Sequence, residues 1–105
     1  MRKSKINISG FKIGTAENRD GLTGVTVILA PDGGATAGVD IRGCAPGTRE
    51  TDLLDPRKTV QKIHAVVLSG GSAFGLEAAS GCVKYLAEQG VGFPIGNICV
   101  PIVCS

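Results

Sequence analysis

The chain contains no tryptophan, one tyrosine and three phenylalanines, so aromatics make up 4% of its residues. Base-stacking platforms for single-stranded nucleic acid depend on such rings. A formal net charge of +2 supplies no strongly basic field for a phosphate backbone either. Nucleic acid is therefore not expected as a partner. Histidine occurs once, at His64, and the cysteines at 44, 82, 99 and 104 form no Cys-x-x-Cys pair. Structural zinc sites want clustered Cys and His, so no metal and no other cofactor is expected. No apolar run reaches the ~18 residues of a membrane span, and no apolar stretch of signal-peptide length follows Met1-Arg2-Lys3-Ser4-Lys5. A membrane partner is not expected, and Arg2, Lys3 and Lys5 read as a solvated tail. The cysteines are expected to be reduced and mostly buried, in a cytoplasmic protein.

What is plentiful is glycine: 16 of 105 residues, about twice the usual share. Glycine permits turns and close backbone approach, which suits a strand-rich or α/β fold. A hydrophobic fraction of 43% against 19% charged residues describes a globular chain. The length fits a single domain over residues 1–105, which can bury roughly two-thirds of its unfolded surface.

Residues 6–16 read as a short strand punctuated by Gly10 and Gly14. Residues 22–30 are β-branched and apolar on both faces. The turn signal Pro31-Asp32-Gly33-Gly34 and the apolar residues 35–41 then predict a β-hairpin over about 22–41. Residues 43–56 carry Gly, Pro, Thr and Asp without periodicity; such long loops are often functional. Glu50, Asp52 and Asp55 in this loop are expected to be solvated, and Asp40 with Arg42 to form a surface or loop-anchoring pair. Asp55-Pro56 is expected to open a short helical turn through Lys62.

Residues 63–68 predict a buried strand, with His64 a structural histidine. A helix over about 72–89 follows, giving a strand–turn–helix unit over about 63–89. Ser72 is its expected N-cap. Leu76, Ala79, Val83, Leu86 and Ala87 form its buried stripe, Lys84 and Glu88 an i, i+4 pair, and Gly90 its stop. Beyond it, residues 98–105 rise into an apolar run and end abruptly, as though the chain were the incomplete N-terminal portion of a longer domain.

The chemistry concentrates at Ser69-Gly70-Gly71-Ser72-Ala73-Phe74-Gly75. A strand, a tight glycine turn, a serine and a helix are the setting of a nucleophile elbow, G-x-S-x-G. Phe74 stands where the last glycine belongs, and no histidine follows Ser72 to serve as its base. The glycines match neither G-x-G-x-x-G nor the P-loop pattern. Free N–H groups at a helix start can hold a carboxylate, a carbonyl oxygen or an oxyanion; close helix–strand packing explains the same glycines. Both readings stay open from the residues alone.

Four ordered stretches carry a resemblance: Leu22-Thr23-Gly24-Val25-Thr26-Val27-Ile28-Leu29, Ala37-Gly38-Val39-Asp40-Ile41-Arg42-Gly43, Pro46-Gly47-Thr48-Arg49-Glu50-Thr51-Asp52-Leu53-Leu54-Asp55-Pro56, and Val67-Leu68-Ser69-Gly70-Gly71-Ser72-Ala73-Phe74-Gly75-Leu76. With Val100-Pro101-Ile102-Val103, they resemble the self-processing L-aminopeptidase/D-esterase (DmpA-type) peptidases from about Phe11 onward. The resemblance implies part of an αββα sandwich similar to the N-terminal-nucleophile hydrolases. It also implies a longer precursor that cleaves itself and frees a Ser or Thr nucleophile at a new N-terminus, whose α-amino group serves as base. Substrates would be peptides, amides or esters with a free amino terminus.

No residue of this chain matches that nucleophile, and no Asn-Ser or Asn-Thr cleavage site occurs. No catalytic residue is therefore assigned. Ser69, Gly70, Gly71, Ser72 and Phe74 are the expected substrate-pocket or oxyanion residues. The chain is expected to be an inactive scaffold segment that joins a missing C-terminal segment or forms a homo-oligomer. The alternative is a stand-alone α/β protein that binds a small ligand at the Gly70–Ser72 junction or self-assembles.

Overall fold

The computed structural model describes residues 7–105; the expected tail at Arg2, Lys3 and Lys5 lies outside them. The fold is mixed α/β. A four-stranded sheet has the order β1 (Lys12–Asn18), β2 (Thr23–Leu29), β3 (Ala65–Ser69), β6 (Val103–Cys104). The first three strands are antiparallel, and β6 runs parallel to β3. Helix α1 (Ala78–Glu88) packs on one face, and β4 (Phe93–Ile95) pairs with β5 (Ile98–Val100) as a separate small ribbon.

The hairpin differs from the one the turn signals predict. β2 pairs with β1, Lys12 opposite Leu29 and Asn18 opposite Thr23. The Asn18 Oδ1 accepts the Gly21 N–H at 2.8 Å and closes the connecting turn. Since β3 occupies the other edge of β2, residues 35–41 find no free edge. They contribute a single bridge, from Ala35 to Ile63. The turn at 31–34 does form, with Gly34 N–H donating to the Pro31 carbonyl at 2.9 Å, but it leads the chain out of the sheet. Alternation identifies a strand and is silent on its partner.

Side-chain alternation sorts the sheet into two faces. Val25, Val27 and Leu29 of β2, Ala65 and Val67 of β3, and Val103 of β6 meet Ala79, Cys82 and Leu86 of α1 in the main core. On the opposite face Ile63, Ile102 and Cys104 pack under Leu53 and Leu54 of the long loop and Val60 just beyond it. That loop covers only part of the face: Leu68 is 57% exposed, and β1 is exposed along its whole length.

The helix starts later than predicted. Residues Ser72–Glu77 form a 3-10 turn and the α-helix proper begins at Ala78. Ser72 is not a cap: its φ is +61° and no side-chain capping bond forms at either helix start. Three residues per turn rather than 3.6 over the first segment shifts the buried stripe. Cys82 takes a place in it, Ala87 is exposed, and Leu76 and Val83 are half-buried. Lys84 and Glu88 both face solvent without forming an ion pair. The helix end is as the glycine predicts. Gly90, at φ +70°, donates to the Ala87 carbonyl, and Val91 donates to Leu86, each at 3.0 Å. This is the Schellman arrangement, and Val91 joins Leu86 in the core.

The short turn in the long loop is also displaced. It spans Asp52–Leu54 and stops at Asp55, whose ψ is 124°, because the residue before a proline is driven out of the helical region. Asp55 instead holds Arg57, Oδ2 to Nη2 at 2.7 Å, and this guanidinium, followed by the Arg57 N–H, holds its carboxyl below the usual range. Asp40 and Arg42 form an exposed pair at 2.7 Å. Two of the four cysteines, Cys44 and Cys99, are exposed rather than buried.

Candidate functional site

β3 and β6 run parallel, so Ser69 and Ser105 emerge at the same end of the sheet. In α/β folds ligands bind beyond the carboxyl ends of parallel strands. Here the chain turns through Gly70 and Gly71 and starts the 3-10 turn at Ser72. Gly71 has φ +91° and Ser72 φ +61°, two left-handed residues in succession. For a serine that conformation carries strain of order 1 kcal/mol or more.

Two clefts flank the junction. The larger, about 890 Å³, lies between the loop residues Ala45, Pro46 and Gly47 and the segment Ser69, Ser72, Ala73 and Leu76, with Ser105 at its edge. The smaller, about 350 Å³, is lined by Asn18, Thr23, Ser69, Gly70, Phe74 and Gly75. The junction therefore divides the five sequence-predicted residues. Ser69 faces both clefts, Ser72 the larger one, and Gly70 and Phe74 the smaller. Gly71 lines neither of these two clefts and acts through the kink. Phe74 is 92% exposed and stands at the rim.

Gly75 completes the junction. A Cβ there would overlap the Gly70 carbonyl oxygen, so the first helical turn can wind directly against the strand end only with glycine at this position. Close packing of the helical turn on the strand end therefore accounts for this glycine.

No charged side chain lines the larger cleft. Its polar groups are hydroxyls and backbone. His64 cannot act as base for Ser72, since it is buried and its Nδ1 accepts the Ile102 N–H at 3.1 Å. Nδ1 must then be unprotonated and Nε2 must carry the hydrogen, and burial lowers the imidazole's affinity for a second proton. The thiols of Cys82 and Cys104 are buried and pushed up by desolvation, Cys104 further by the Glu50 carboxylate, which keeps them unreactive. Among the described residues no three His, Cys, Asp or Glu side chains gather as a metal site, and no helix is long and apolar enough to cross a membrane.

Sequence reasoning missed Thr23 and Asn18 in the smaller cleft, because the β2–β3 pairing brings Thr23 beside Gly70 and the β1–β2 pairing sets Asn18 opposite Thr23. It placed function in the long loop without naming the wall 45–47. It also passed over Arg49. The Arg49 N–H donates to the Ser105 carbonyl at 2.7 Å and Ser105 N–H returns the bond at 3.0 Å. The Arg49 Nη1 donates to Ser80 Oγ at 2.6 Å and to the Leu76 carbonyl at 3.4 Å.

The family model for peptidase family S58 matches residues 5–105. The chain belongs to peptidase family S58. This is the DmpA-type family that the ordered motifs resemble. The S58 chain is 54% identical over 80 residues to an uncharacterized aminopeptidase of Mycobacterium tuberculosis, covering 76% of this chain and 23% of that protein. An uncharacterized aminopeptidase of Mycobacterium leprae is 46% identical over 105 residues, covering 92% of this chain and 29% of the relative. A 6-aminohexanoate-oligomer endohydrolase of Paenarthrobacter ureafaciens is 38% identical over 85 residues, covering 81% and 21%. The S58 chain thus spans less than a third of the length of these curated relatives. The family match over residues 5–105 contains the whole junction and both clefts described above.

Proposed function

We propose that this chain is the N-terminal scaffold of an amide-hydrolysing enzyme that acts on peptides or amides with a free amino terminus. The observation that carries the reading is the S58 match over the glycine junction and the cleft beside it. Two of the relatives cited are named aminopeptidases and a third an oligomer endohydrolase; all three names describe cleavage of amide-type bonds. Within the cleft, Ser69 and Ser72 supply hydroxyls for a neutral substrate stem. The Gly70 N–H already donates to the Gly24 carbonyl at 3.0 Å and Gly71 lines neither cleft, so these two glycines shape the junction, and the donors for a developing oxyanion would come from elsewhere in the longer polypeptide.

The chain by itself lacks a nucleophile–base pair: its one imidazole is buried and engaged with Ile102. A Ser or Thr freed by self-cleavage, in sequence beyond these residues, would supply the attacking group and its base. Residues 1–105 would then be the N-terminal portion of a longer domain. The sheet supports an αββα completion, because one face carries α1 while the other leaves Leu68 exposed for a second sheet. Four cysteines without a disulfide suit a cytoplasmic location. The chain alone should release no product from an aminoacyl amide, whereas a polypeptide that continues through the nucleophile should; turnover by the isolated chain would sink the reading.

A second reading, self-assembly, is favoured by one observation. β1 is a seven-residue edge strand exposed along its length, and such edges invite pairing. Sedimentation over a concentration series separates the two, since a scaffold segment completed by its own polypeptide needs no second copy.

A further inference from the structure

We propose that Arg49 is a positioning residue that sets the width of the larger cleft; the inference rests on that cleft being the substrate site of the hydrolase. The wall at Ala45, Pro46 and Gly47 has no regular secondary structure of its own. Arg49, two residues further on, ties it down, with the Cys104 Sγ–H donating to the Glu50 carbonyl at 3.4 Å beside it. The Arg49 backbone forms a reciprocal pair with Ser105, and its guanidinium reaches across to the Leu76 carbonyl and the Ser80 hydroxyl. Ser105 and Leu76 both line the cleft. One residue therefore joins the loop wall to the strand end and to the helical wall.

Ordinary charge pairing does not explain the guanidinium. It is half-buried, yet the ion pairs among the described residues belong to Arg19, Arg42 and Arg57. It also sits at the N-terminal end of the helical segment, where the macrodipole disfavours a cation. The forked, rigid donor set of arginine explains it: one Nη1 serves two acceptors at fixed geometry, which a lysine ammonium on a flexible stem does less well. Loss of the clasp leaves Ser69 and Ser72 in place and lets the opposite wall drift. Substrate binding should weaken while the chemical step is preserved.

The test uses Arg49→Met, Ser80→Ala and the double variant. In the full-length polypeptide that carries this segment, KM and kcat are measured with an L-aminoacyl p-nitroanilide. Each single variant should raise KM about ten-fold with kcat held within about two-fold, the signature of lost uniform binding. The double variant should be no worse than Arg49→Met, because Ser80→Ala removes only a contact that Arg49→Met already removes. An unchanged KM, or equal losses in kcat and global stability, overturns the proposal. In parallel, amide hydrogen exchange on the 105-residue chain should speed up about ten-fold at residues 47–51 and 105 in Arg49→Met, with Val67 unaffected. A wild type that hydrolyses nothing defeats the hydrolase reading alone; the exchange result then decides the clasp, and unaltered exchange at residues 47–51 refutes it.

Discussion

Replacing His64 by leucine isolates the bond that docks β6 against β3. The imidazole Nδ1 accepts the Ile102 N–H at 3.1 Å, in a contact between residues 38 apart in sequence. Around it, His64 N–H donates to the Ile102 carbonyl at 2.8 Å, and Ala30 N–H donates to the His64 carbonyl at 2.9 Å. Leucine keeps the bulk and the main-chain bonds but leaves the Ile102 N–H buried without an acceptor. An orphaned buried donor costs about 1–3 kcal/mol, a large share of the ~5–15 kcal/mol that holds a domain together. The same bond makes stability depend on pH. Only neutral imidazole can accept at Nδ1, and burial depresses its pKa below the ordinary value of about 6.5. Above that value both folded and unfolded chains hold neutral His64, and stability is complete. As pH falls below about 6.5 the unfolded chain takes up a proton that the folded chain refuses, so stability declines. The decline levels off once the folded value is passed, at about 1.4 kcal/mol for each unit of depression. Urea unfolding of wild type and His64→Leu at pH 7.5 and at pH 5 reads both effects. The variant should be less stable by about 1–3 kcal/mol at pH 7.5 and should lack the wild type's decline toward pH 5. A variant with the same decline, or one within about 0.5 kcal/mol of wild type at pH 7.5, would refute the reasoning.

Three further substitutions probe the junction and the core. Gly75→Ala places a methyl against the Gly70 carbonyl and should cost about 1–3 kcal/mol in urea unfolding, as overpacking does; a neutral result would mean the helix start is not wound tightly on the strand. Ser72→Gly removes a side chain from a residue at φ +61° and should raise stability by about 1 kcal/mol in thermal unfolding; a loss would restore the capping role that the structure denies it. Leu86→Ala opens a void beneath Val27 and Val103 and should cost about 2–5 kcal/mol, so retention of the wild-type urea midpoint would contradict the core assignment.

Local signals were legible in the chain where a single residue type dictates the backbone. Gly90 ends α1 because a left-handed residue is needed there, and the apolar run read over 63–68 yields the central strand, shifted to Ala65–Ser69 with Leu68 exposed. Partnership between strands was not legible. Residues 6–16 read as a short strand, but nothing in them names residues 23–29 as its partner, so the turn at 31–34 drew residues 35–41 into the hairpin instead. The helix start was misread because Ser72 has the side chain of an N-cap, while the backbone there is set by the close contact of Gly75 with Gly70. Ser69, Gly70, Gly71, Ser72 and Phe74 are adjacent in sequence and lie together at the junction. Their division between two clefts depends on the loop 45–47 and on Thr23, which only tertiary contacts bring to the junction. Arg49 lay in a recognisable motif, but its reach to Ser80 depends on packing across 31 residues of sequence.

The most direct measurement is the hydrolysis of an L-aminoacyl p-nitroanilide by two purified proteins, the 105-residue chain and a full-length polypeptide in which these residues continue to the length of the S58 relatives. Turnover by the full-length protein alone, with a second fragment that begins at Ser or Thr, is the predicted result. Turnover by the 105-residue chain, or an uncleaved full-length protein with no activity, would contradict the assignment of this chain as the scaffold of a self-processing amide hydrolase.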